Sequence, residues 1–129
     1  MHLNHHDVFR TLAEAEARER HATEAFFKAW KRGVELAGVR FFGQGTREAF
    51  DLAVSKWNLC PNVRLIKAAI GPMSSGEKVF LAAMVSFYDA NDGGALLRRV
   101  GVHGLSDLGG LDTQRREVIA SLLLYYAGW

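Results

Sequence analysis

Apolar residues recur three and four positions apart through the first third of the chain. Val8, Leu12, Ala15, Ala22, Phe26, Ala29, Trp30, Gly33 and Ala37 follow these steps, which line up along one face of an α-helix. Glu14 and Arg18, Glu16 and Arg20, and Glu24 and Lys28 place an acid four residues before a base, an orientation that stabilises a helix by about 0.2–0.5 kcal/mol per pair. Proline is absent from this span. The pattern predicts one helix over residues 5–37, roughly 50 Å long if unbroken. The polar stretch from Glu14 to Arg20 is expected to project beyond the core or to bend near His21 to Thr23. Residues 1–5 are expected to fray.

Further along, Val39-Arg40-Phe41-Phe42 lies between Gly38 and Gly43-Gln44-Gly45 and reads as an apolar linker. Thr46 is a good N-cap for a helix over about 47–58, ended by Pro61. A third helix over 62–70 stops at Gly71-Pro72. Ser74 and Glu77 have capping-box spacing and open a helix over about 76–89. Asp92-Gly93-Gly94 opens a short helix to Val100, with Gly101 as its C-cap. Gly104 to Leu108 fits one more turn, and Asp112 or Thr113 caps a last helix over 113–127. The helices over 76–89 and 113–127 are apolar on most sides, a pattern that calls for burial in a bundle or cover from a second chain. Internal repeats, long linkers and strand alternation are missing. The expectation is one all-α domain over 1–129, a helical bundle of five to seven helices with a long N-terminal helix.

Composition narrows this. The chain has 129 residues, 49% of them hydrophobic, with one Cys and two Pro. That suits a single core and excludes intrinsic disorder, collagen-like repeats and a disulfide scaffold. Lys and Arg number 16 against 14 Asp and Glu, a formal charge of +2, and no basic cluster marks a strong nucleic-acid binder. Cys60 alone makes no internal disulfide, which favours a reducing compartment. Without a secretory-signal pattern or an apolar run near the ~20 residues a membrane span needs, a cytoplasmic protein with no membrane contact is expected.

Candidate chemistry is sparse. His2, His5 and His6 stand beside Asp7, and His2 and His6 could share a helical face. No Cys or second His pair completes a metal set, and no metal site is expected. His21 and His103 are isolated. Gly43-Gln44-Gly45-Thr46 resembles a phosphate-binding turn but carries Glu48 where the dinucleotide fingerprint has Gly, and lacks the P-loop Gly-Lys-Ser/Thr. Asp89-Ala90-Asn91-Asp92-Gly93-Gly94 opens like a calcium loop, yet its fifth position is Gly93 and its twelfth Val100. Cys60 has no evident base, and Ser74 and Ser75 read as caps. No catalytic residue or cofactor is expected.

Two surfaces remain. Leu96 to Leu108 has the outline of a helix-turn-helix, with Asp107 where a base-reading side chain belongs. With Thr113-Gln114-Arg115-Arg116 it makes Arg98, Arg99, Arg115 and Arg116 candidate nucleic-acid contacts. Phe26, Phe27, Trp30, Tyr125, Tyr126 and Trp129 exceed what one small core needs and are candidate interface residues, since large amphipathic rings favour interfaces.

Ser75-Gly76-Glu77-Lys78-Val79-Phe80-Leu81-Ala82-Ala83-Met84, together with the stretch from Gly104-Leu105 through Asp107-Leu108-Gly109-Gly110-Leu111-Asp112 to Ala127-Gly128-Trp129, resembles small uncharacterised proteins carried by bacterial integrating conjugative elements and plasmids. The resemblance covers the C-terminal half from about Ser75. It implies a bacterial, cytosolic protein of a mobile genetic element and carries no activity or catalytic residue. The expected function is non-enzymatic and rests on protein–protein contact, with a homodimer as the leading form. The alternatives are a small nucleic-acid-binding accessory protein, and a small-molecule binder or enzyme with a pocket between helices.

Overall fold

The middle of the molecule is a helix, α4 (Ser75–Tyr88), in which six consecutive residues from Phe80 to Val85 are buried. Consecutive burial means cover on every side of the helix. In the computed structural model, which describes residues 5–129, the cover comes from the chain itself. α1 (His5–Ala37), α5 (Ala90–Arg99) and α6 (Thr113–Tyr125) all pack on α4, with α2 (Arg47–Leu52) and α3 (Val63–Ala69) completing six α-helices. Three 3-10 turns, Val39–Phe41, Lys56–Leu59 and Leu105–Gly110, join them. The molecule is the all-α bundle that the periodicity predicts, and the first of its two all-round apolar helices needs no second chain.

α4 starts as its capping box predicts. The Glu77 N–H donates to Ser74 Oγ at 3.3 Å, and that hydroxyl donates to Glu77 Oε1 at 2.6 Å. Two glycines let neighbours approach α4 closely. A Cβ on Gly33 of α1 would lie 2.6 Å from Met84 Cε, and one on Gly93 of α5 would lie 2.2 Å from Ser86 Cα.

α1 runs unbroken over the predicted span. Its buried residues begin only at Phe26 and continue through Ala29, Trp30, Gly33 and Val34. α1 and α6 lie antiparallel. Arg32 meets Glu117 at 3.3 Å at one end, and the rings of His21 and Tyr125 meet edge-on at 5.7 Å at the other. N-terminal to this contact, α1 leaves the body as an arm.

Elsewhere the structure departs from the sequence pattern for local reasons. The stretch read as a linker is core: Phe41 and Phe42 are buried, and Phe42 forms an isolated antiparallel bridge with Pro61. Asn62 N donates to Phe41 O at 2.7 Å and Gly43 N to Cys60 O at 2.8 Å. Gly43 is left-handed at φ 58°, and a Cβ there would strike Asn58 O at 2.3 Å. The second helix stops at Leu52 rather than 58. The Asn58 carboxamide accepts from Val54 N at 3.0 Å and Ser55 N at 3.1 Å, offering the backbone a turn in place of helix. Asp89 caps α5 by accepting from Asn91 N at 2.9 Å and Asp92 N at 3.0 Å, so the calcium-loop-like run is a helix start. Asp112, accepting from Arg115 N at 2.9 Å, is the cap of α6.

Gly93 decides between two opposed effects. Helix propensity favours Ala over Gly by about 1 kcal/mol, whereas an added methyl here has no room. Gly93→Ala is expected to destabilise the fold by about 1–3 kcal/mol. Gly76→Ala in α4, where a Cβ meets nothing within 4 Å, is expected to stabilise it by about 0.4–1 kcal/mol. Urea unfolding of the two variants checks both signs.

Candidate functional site

The six aromatic residues proposed as an interface divide between core and surface. Trp30 is fully buried, and its Nε1 donates to Leu59 O at 2.9 Å. Phe26 is buried among Trp30, Phe87, Tyr126 and Trp129, with ring centroids 5.9–6.4 Å away. Both are therefore core residues, withdrawn from any surface. Trp129 is half-buried and packs its ring 4.7 Å from Trp30 and 5.2 Å from Tyr88. Phe27 and Tyr125 are half-buried, and Tyr126 is exposed. Much of the aromatic surplus thus fastens the C-terminal residues onto α1.

Lys56 belongs to the same fastening. Its ammonium donates to Gly128 O at 2.6 Å and lies 5.1 Å from the Trp129 ring centre and 5.5 Å from that of Phe26. Desolvation lowers the Lys56 pKa, and burial pushes that of the Cys60 thiol up.

Three of the four arginine side chains have partners. Arg99 Nη1 donates to Lys67 O at 2.8 Å, and Arg116 Nε donates to Leu111 O at 2.9 Å with Nη2 on Gly109 O. Arg115 pairs with Asp112 and lies over the Phe80 ring. Arg98 stands apart: among the described residues its guanidinium makes no hydrogen bond or ion pair, and it lines a groove. Among the described residues no three His, Cys, Asp or Glu side chains gather where they could hold a metal ion. His2 lies outside the described residues, and His5 packs edge-on against Phe9. No helix among the described residues is long and apolar enough to cross a membrane.

Leu52, Val54 and Trp57 are exposed in and beside the second helix, and two larger apolar surfaces lie elsewhere. The first is the arm of α1, where Val8, Phe9 and Leu12 are 41%, 59% and 55% exposed. Val8 and Leu12 belong to the stripe that is buried from Phe26 onward, so one helical face passes from core to solvent without a change of pattern. The second is a groove of about 770 Å³ between α4, α5, α6 and the 102–108 segment. Phe87, Leu97, Leu108 and Ile119 lie along it, with Leu105 and Leu123 well exposed at its lip. α6 is thus the second all-round apolar helix, and it differs from α4. Val118, Ile119 and Leu122 are buried, but Leu123 and Leu124 face outward. The periodicity marked Val8 and Leu12; nothing in the spacing marked Leu105 and Leu123 as lining one groove, because they belong to separate elements that only the tertiary fold sets around it.

No protein-family model, curated protein or solved structure matches this chain.

Carboxylates at helix ends and in one surface pair give the fold an acid-sensitive side. Hydrogen bonds from the His103 and Gly104 N–H groups lower the Asp107 pKa, the Arg115 N–H lowers that of Asp112, and the Arg47 guanidinium lowers that of Glu35. The folded state holds these protons less tightly than the unfolded state. Their stabilisation is therefore complete above the ordinary carboxylate pKa and is lost as pH falls through the lower folded values. Asp107→Asn with Asp112→Asn keeps both cap acceptors and removes both titrations. The urea midpoint of this variant is expected to fall less steeply on acidification than that of the wild type.

Proposed function

We propose that this chain works by protein–protein contact rather than by catalysis, and that it assembles with a second copy of itself through the arm of α1. The observation that supports this reading is the exposed stripe of Val8, Phe9 and Leu12 on a helix whose other half is core. The arm, residues 5–20, extends roughly 24 Å. It has no buried residue, so the body of the same molecule does not cover its apolar side chains. Covering a large apolar side chain contributes about 1.5–3 kcal/mol, and a two-fold dimer repeats each such contact. The C-terminal resemblance further supports a role in a bacterial mobile genetic element.

Light scattering at micromolar concentration tests the assembly. The wild-type chain is expected to be a dimer. Phe9→Glu with Leu12→Glu is expected to be a monomer whose far-ultraviolet circular dichroism still shows a folded body. A wild-type chain that stays monomeric through the micromolar range would overturn the reading.

A further inference from the structure

Resting on the homodimer reading, we propose where the arm goes: the arm of each copy seats in the α4–α5–α6 groove of the other, a reciprocal exchange of helices.

Rigidity rules out the molecule's own arm as occupant. α1 is one unbroken helix with no Gly or Pro between His5 and Arg32, so it has no hinge to fold back on its own body. Position favours a second copy. Tyr125 of α6 touches His21 where the arm departs, and Tyr126, the next residue, lines the groove. Arm root and groove therefore share one end of the molecule, and a two-fold axis near that end sets each arm beside the other copy's groove.

Charge selects this seat over the other two on offer. Val8, Leu12 and Glu16 follow four-residue steps, and Leu12, Ala15 and Glu19 follow steps of three and four, so the apolar stripe of the arm ends in two carboxylates. The groove carries Arg98 and His103 as its basic side chains and no acid, with Arg98 unengaged among the described residues. A seated arm brings Glu16 and Glu19 to that rim. By contrast, the cleft of about 610 Å³ beside the arm root sets three acids, Glu16, Glu19 and Glu24, against Arg20 and Lys56, and Lys56 already donates to Gly128 O, so its charge suits an acidic stripe less well. A coiled coil of two arms would place Glu16 and Glu19 on the seam itself, where a charge is destabilising.

Light scattering over a concentration series, with circular dichroism as the folding control, separates these arrangements. The wild-type chain is expected to dimerise, and Leu12→Glu in the arm and Leu123→Glu in the groove are each expected to weaken dimerisation at least tenfold. Arg98→Glu is expected to weaken it severalfold, with recovery on adding Glu16→Arg and Glu19→Arg. Leu123 is 59% exposed, and should its substitution unfold the chain, Leu105→Glu at an 80% exposed position replaces it. A dimer lost with Leu12→Glu but kept with Leu123→Glu indicates arm-to-arm pairing and overturns the groove while leaving the homodimer reading intact. A dimer lost with Leu123→Glu but kept with Leu12→Glu indicates groove-to-groove pairing and overturns the exchange, as does failure of the charge reversal to restore Arg98→Glu. A monomeric wild type overturns both.

Discussion

Close packing around α4 is the constraint on which the rest of the structure depends. Six consecutive buried residues leave no face of this helix to water, so three other helices must reach it. Two of them do so where a side chain is missing. Gly33 admits Met84 from one side, and Gly93 brings the α5 backbone against Ser86 from another. Interiors are packed as densely as organic crystals, and contacts this short leave no room for a methyl group. With α4 enclosed, Trp30 can be buried completely because Leu59 O accepts its N–H, and the C-terminal residues close over it with Trp129.

A helix enclosed this well contrasts with the two surfaces left open. α1 uses its C-terminal half as a wall of the core and extends its N-terminal half past the end of α6. The charges of the arm suit solvent, and the acid-before-base pairs hold the helix without tertiary help. Its stripe of Val8, Phe9 and Leu12 does not suit solvent. Near the root of the arm, the turn after α5 stops short of covering α6 and leaves a groove with basic groups at its rim. Each surface has what the other lacks, and the proposed exchange of arms rests on that complementarity.

Local rules accounted for much of the fold. Caps at Thr46, Ser74 and Asp112 sit where short-range hydrogen bonding predicts them, and the α1 boundaries follow the stripe from residue 5 to 37. The departures also have local causes seen only in three dimensions. Asn58 reaches back to two N–H groups and shortens the second helix. Phe41 and Phe42, too few to define an element, enter the core through pairing with a distant strand-like residue, Pro61. Phe26, Trp30 and Trp129 read together as surplus aromatics because spacing along the chain gives no sign that Trp129 packs on the other two from the far end.

By itself, the sequence determined the helices, most of their caps and the amphipathic stripe of the arm, because these depend on residues within a few positions of one another. Only the tertiary structure decided which apolar surface is hidden. α4 and α6 look equally apolar along the chain, yet one is enclosed and the other keeps Leu123 and Leu124 outside. Burial depends on which distant segments arrive to cover a helix, and spacing along one segment carries no record of that arrival.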